Sequence, residues 1–171
     1  MTFWEGEVNV KLHLRDGNIF RKRLSLAISS RPSDWQLSSA AQACNSALSS
    51  LPILEYLEIY ILRSWKDDLE NAQWLELLHP FTSMKDLLLH NESIQHVALA
   101  LEQLAEERAT EVLPALRNLF LQYPRPLEPV KKKAIGKFIA ARQLSDCPVS
   151  VYHRASEGST WQQVRWEVGD R

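Results

Sequence analysis

Apolar positions along this chain follow two alternating rhythms. A short run with the spacing L-x-x-L-x-L occurs as Leu54-Glu-Tyr-Leu57-Glu-Ile59, as Met84-Lys-Asp-Leu87-Leu-Leu89 and as Leu116-Arg-Asn-Leu119-Phe-Leu121. Its middle position steps from Leu26 to Leu57, Leu87, Leu119 and Val149, at intervals of 31, 30, 32 and 30 residues, and Ile28, Ile59, Leu89, Leu121 and Val151 repeat alongside it. Between the runs the period changes to helical. Such a unit, one short strand and one amphipathic helix, cannot bury its own apolar face and must stack on its neighbours. The pattern therefore predicts an α/β fold: a short leucine-rich-repeat-like solenoid with a mainly parallel sheet on the concave side, helices on the convex side and antiparallel, hairpin-like edges. The parallel orientation follows from connection length, because some two dozen residues between strands make a crossover rather than a hairpin.

The individual elements come from local chemistry. Val8, Val10, Leu12 and Leu14 alternate, as do Leu24, Leu26 and Ile28, and Asp16-Gly17-Asn18 between them is a hairpin signal, so residues 7–28 are expected to form an N-terminal hairpin cap. Helical spacing predicts a first helix through Leu37, Ala40, Ala41, Cys44, Ala47, Leu48 and Leu51, and a second opening near Asn71 with Trp74, Leu75 and Leu78, stopped near Pro80. A third takes Ser93 as N-cap with Ile94, Val97, Ala98, Leu101, Leu104 and Ala105 inward. The last spans about 128–142, with Pro129 in its first turn and Val130, Ala134, Phe138 and Ala141 inward. Residues 33–152 are then the repeats of one 1–171 domain, and 153–171 a tail in which Val164, Trp166 and Val168 alternate as an edge strand.

Alternation along the strands sends Leu57, Ile59, Leu87, Leu89, Leu119, Leu121, Val149 and Val151 into the core. The outward rows become Tyr56, Asp86 and Asn118; Glu58, Leu88, Phe120 and Ser150; and Tyr60, His90, Gln122 and Tyr152. Exposed Leu88 and Phe120, flanked by Tyr60, His90 and Tyr152, are the best candidates for a protein-binding surface, because a solvated sheet face is normally polar. The alternative is that the tail carrying Trp161 and Trp166 folds back over them. Trp65, in a loop after a strand, is a further contact candidate.

With a formal charge of −1 and a pI near 6.5, the chain lacks the basic footprint of nucleic-acid binding. The two cysteines, Cys44 and Cys147, form no C-x-x-C pair, no run of about 18 apolar residues is present for a membrane span, and the N-terminus lacks a secretory pattern. An intracellular protein, cytoplasmic or nuclear, with neither a nucleic-acid nor a membrane partner is expected. The five histidines fall in no H-x-x-x-H or H-E-x-x-H arrangement, and no phosphate loop or nucleophile elbow occurs, so no catalytic residue, cofactor or metal site is expected. The carboxylate pairs Asp67-Asp68 and Glu106-Glu107, and Lys131-Lys132-Lys133, read as solvated charges. An enzyme with a small-molecule pocket near His90 and Asp86 is the rival from another class.

The sequence also resembles the leucine-rich-repeat region of F-box-like proteins of mushroom-forming fungi. Asp34-Trp-Gln-Leu-Ser38, Leu54-Glu-Tyr-Leu57, Gln73-Trp-Leu-Glu-Leu-Leu78 with Pro80-Phe81, Glu111-Val-Leu-Pro-Ala-Leu116, and the helix from Ile135-Gly-Lys-Phe138 to Arg142 leading into Pro148-Val149 carry the likeness, over residues 8–152. It implies a non-catalytic protein-interaction module, the substrate-binding part of a ubiquitin-ligase receptor. In such proteins an F-box helical segment that binds the ligase adaptor precedes the repeats. Here the first 30 residues read as strands and no Leu-Pro-rich three-helix segment is visible. Read as a whole protein, the chain is therefore not expected to recruit a ligase, and a free-standing repeat remnant without a defined partner is a third possibility.

Overall fold

The computed structural model describes residues 8–14, 22–28, 54–61, 71–107, 111–123 and 126–166. Among the described residues, seven strands form one sheet in chain order: β1 (Val8–Leu14), β2 (Lys22–Ile28), β3 (Tyr56–Ile61), β4 (Asp86–His90), β5 (Asn118–Gln122), β6 (Ser150–Arg154) and β7 (Gln162–Val164). The steps from β2 to β6 are parallel, while β1 and β7 pair antiparallel at the two edges. Helices α1 (Asn71–Leu78), α2 (Asn91–Glu107) and α3 (Pro129–Leu144) connect β3 to β4, β4 to β5 and β5 to β6. The expected α/β class, parallel sheet and antiparallel edges are all present. The helix expected around residues 37–51 lies outside the described residues.

Strands β4, β5 and β6 are entered by the same kind of backbone step. The Glu55 carbonyl accepts the N–H groups of Lys85 and Asp86 at 2.9 Å each, and the Lys85 carbonyl accepts those of Arg117 and Asn118 at 2.8 and 2.9 Å. The Arg117 carbonyl in turn accepts Ser150 N–H at 2.8 Å. This staircase fixes the register before the ladders begin, and aligned leucines follow from it: Leu57, Leu87, Leu119 and Val151 form one row. Together with Ile59, Leu89 and Leu121 they pack against Trp74, Leu77, Ile94, Val97, Leu101, Ile135 and Phe138 in a single core, so α1 to α3 cover one face of the sheet. Each such aliphatic side chain, wholly removed from water, contributes about 1.5–3 kcal/mol.

At both ends the register differs from the sequence reading by two residues. Leu24, not Leu26, pairs with Leu57, and Val151, not Val149, pairs with Leu119. Two is an even number in a period-two structure, so every side chain keeps its face while moving one row along. The outward rows become Tyr56, Asp86, Asn118 and Ser150, then Glu58, Leu88, Phe120 and Tyr152, with Arg154 beside Gln122.

Helix ends also show local adjustments. No loop separates β4 from α2; the turn is made at Asn91, whose φ of 32° lies in the left-handed region that asparagine tolerates. Ser93 therefore sits inside the first turn rather than at the N-cap. Its buried hydroxyl accepts the His90 N–H at 2.8 Å and lies 3.0 Å from the Ile59 carbonyl, tying β3, β4 and α2 together. In α3, Pro129 follows the N-cap Glu128 as expected. Val130, however, is 65% exposed instead of inward, and Ala134, Ile135, Phe138, Ile139 and Arg142 form the buried stripe.

Arg142 is the polar member of that stripe. It is fully buried, and its guanidinium donates to the carbonyls of Cys147 at 3.2 Å, Pro114 at 3.2 Å and Leu116 at 3.0 Å. It thus satisfies backbone acceptors in the turns leading into β5 and β6, and burial lowers its pKa from the usual arginine value. Arg142→Met, which keeps the volume and removes the donors, is expected to cost about 2–4 kcal/mol of folding free energy, measured by urea unfolding, because those carbonyls lose their partners in a dry interior.

Candidate interaction surface

The face opposite the helices has two halves of different chemistry. On β3 and β4 the polar side chains are consumed by one another. Glu58, 2% exposed, accepts from Ser25 Oγ at 2.9 Å through Oε2, and from the Tyr60 hydroxyl and His90 Nε2 through Oε1, the latter at 3.0 Å. A carboxylate offers only acceptors, so with Glu58 ionised the hydrogen of this last bond sits on His90 Nε2. The Tyr60 ring stacks on the His90 imidazole at 3.9 Å, which closes the group from the side. One row along, Asp86 accepts from Asn118 Nδ2 at 2.7 Å. Burying a carboxylate is costly unless its lone pairs are met, and here three neighbouring donors meet them.

On β5, β6 and the segment entering β7 the side chains are half-buried and aromatic. Phe120 and Tyr152, adjacent in register, stack at 4.9 Å with a 19° interplanar angle, and Trp161 stands edge-on to Phe120 at 5.1 Å and 68°. The Arg154 guanidinium lies 4.3 Å from the Trp161 ring centroid. It also donates from Nε and Nη2 to Gln122 Oε1 at 3.0 and 2.7 Å, and from Nη1 to the Glu157 carbonyl at 3.3 Å. All three nitrogens are engaged, so the side chain acts as a brace for the indole. Among the described residues, neither the Tyr152 hydroxyl nor the Trp161 indole N–H has a hydrogen-bond partner.

The candidate residues are thus divided. Tyr60 and His90 belong to the closed polar group. Leu88 was expected to be exposed and is instead 2% exposed, wedged in register between Glu58 and Phe120, because a central strand is covered from both sides by the larger side chains of its neighbours. Phe120 and Tyr152 come together as ring neighbours, one row closer than the sequence register placed them. Trp65 lies outside the described residues. The tail does fold back, but in part: Trp161 joins the outer face, whereas Trp166 crosses to the helix side. There its Nε1 donates to the Lys132 carbonyl at 3.2 Å, and the indole lies so near Gly136 that an added Cβ would meet it at 3.1 Å.

Glu58 as the hub, and Gln122 and Arg154 as the brace, were not singled out from sequence. Position alone gave a usable signal for the brace, since Arg154 follows Tyr152 by two residues on the same face.

Comparison with protein-family models, with curated proteins and with solved structures finds no significant match. No helix among the described residues is long and apolar enough to cross a membrane. The rival site at His90 and Asp86 is a pair of buried side chains, each hydrogen-bonded to a neighbouring strand, and among the described residues no group of three metal-ligating side chains gathers there.

Glu58→Ala strips three buried or half-buried donors of their acceptor at once. It is expected to lower folding stability by at least about 2 kcal/mol in urea unfolding, while Glu58→Gln, which keeps one oxygen, loses less.

Proposed function

We propose that the chain is a non-catalytic protein-interaction module built as a short leucine-rich-repeat-like solenoid, which binds its partner on the outer sheet face between β5 and β7. The observation that carries this reading is the Phe120, Tyr152 and Trp161 cluster, half-buried, aromatic and braced by Arg154, with two ring-borne donors that take no partner among the described residues. Rigid aromatic side chains with a polar tip supply large contact area at little entropic cost, and this is the composition of interface hot spots. The recurring strand-entry bonds and the near-constant repeat length support the solenoid, and the resemblance to fungal F-box-like repeats supports a substrate-receptor role inside the cell. No observation favours the enzyme alternative at His90 and Asp86, where His90 Nε2 is bonded to Glu58 and Asp86 Oδ1 to Asn118.

Position-specific photocross-linking tests the surface. Gln163 is exposed and pairs with Tyr152, so a photoreactive side chain there sits on the outer face beside the cluster, whereas one at exposed Gln103 on α2 samples the helix layer. In a fungal cell extract, the position 163 probe is expected to give discrete protein adducts that the position 103 probe does not. Adducts confined to position 103 would place the interaction on the helices and contradict the reading.

A further inference from the structure

The outer-face cluster also restricts the chemistry of its ligand, an inference that rests on the recognition role proposed above. Phe120 and Tyr152 are in stacking contact, with centroids 4.9 Å apart, which leaves no gap for a cation between the two rings. They form a ridge, and Trp161 rises across it at 68° with one face taken by the Arg154 guanidinium. A cationic ligand would approach a fixed positive charge, while the carboxylates of the same sheet face, Glu58 and Asp86, are buried and bonded within β2 to β5. For an anionic ligand the Nε/Nη2 edge of Arg154 is already committed to Gln122, one Nη1 N–H is held by the Glu157 carbonyl, and the guanidinium is laid against the indole, so its principal fork serves the protein. What the cluster offers is apolar ring surface with two hydrogen-bond donors, the Tyr152 hydroxyl and the Trp161 indole N–H. Its complement is a neutral chain that is apolar along its length and rich in acceptors. A polyproline II segment has this character: its carbonyls make no internal hydrogen bonds, its prolyl rings stack on aromatic faces, and its fixed φ reduces the entropy lost on docking.

We propose that the Phe120, Tyr152 and Trp161 ridge binds a proline-rich segment in the polyproline II conformation, with the Tyr152 hydroxyl and the Trp161 indole N–H donating to its backbone carbonyls. The test uses the full chain and an oligoproline of about ten residues, roughly three turns of that helix. Binding is followed by calorimetry and by amide and indole NMR shifts, with a Gly-Ser peptide of equal length as comparison. Tyr152→Phe and Trp161→Phe keep an aromatic ring and remove one donor each, and circular dichroism verifies that both variants fold. The wild type is expected to bind oligoproline in preference to the Gly-Ser peptide, with shifts centred on residues 120, 152 and 161. Each variant is expected to bind roughly three- to tenfold more weakly, the loss of one net hydrogen bond. Wild-type chain that does not distinguish the two peptides, or variants that both bind as the wild type does, would overturn the proposal. Cross-linking from position 163 separates the two levels. A protein adduct there without oligoproline binding removes the ligand class and leaves the surface, whereas loss of both removes the surface as well.

Discussion

Everything in this molecule depends on the register of the parallel strands from β2 to β6. The backbone staircase that runs from Glu55 through Lys85 to Arg117 sets it from β3 to β6, and a row of aliphatic side chains holds it. A slip of one residue in any strand would turn its leucines outward and bury its polar set, so the aligned row of Leu57, Leu87, Leu119 and Val151 is a strong constraint. Among the described residues, α1 to α3 all lie on one face of the sheet, and the other face carries side chains that the core does not need. Arg142 shows how closely the two layers are joined, since one buried guanidinium in α3 serves carbonyls in the turns before β5 and β6.

The outer face resolves its polarity in two ways. Around β3 and β4, a carboxylate, an imidazole, a phenol and a hydroxyl satisfy each other, and the result is a buried polar group that contributes to stability and offers little to a partner. Around β5 to β7, Phe120, Tyr152 and Trp161 meet each other through ring faces and edges, and among the described residues the Tyr152 and Trp161 donors take no hydrogen-bond partner. Arg154 gives this half its rigidity, because the bonds to Gln122 and Glu157 fix the guanidinium against the indole. Order in an aromatic patch before any partner arrives reduces the entropy cost of binding.

The interior of the sheet was legible in the sequence because three intact L-x-x-L-x-L runs leave only one way to align β3, β4 and β5. At the ends the same logic is underdetermined: Leu24 and Leu26, and Val149 and Val151, are both apolar at the same parity, so spacing alone cannot choose between them. The choice moved Tyr152 beside Phe120 and created the aromatic ridge. Helical spacing places Val130 inward, but the first turn of α3 is mostly exposed and burial starts at Ala134, and a fully buried Arg142 runs against the usual surface preference of arginine. Leu88 looked exposed because alternation gives a face but says nothing of how far Glu58 and Phe120 reach over it. Trp161 and Trp166 were grouped by proximity in sequence, and an exposed three-residue strand between them sends them to opposite sides of the sheet.

The division of the outer face into a closed and an open half is tested most directly by comparing the urea unfolding of His90→Ala with that of Tyr152→Phe. His90 bonds to Glu58 and stacks on Tyr60, so its removal is predicted to cost about 1–3 kcal/mol. The Tyr152 hydroxyl has no partner among the described residues, so its removal is predicted to change stability by less than about 0.5 kcal/mol. Equal destabilisation by the two substitutions would mean that Tyr152 is bonded within the protein, and it would contradict the existence of an open, recognition-competent half.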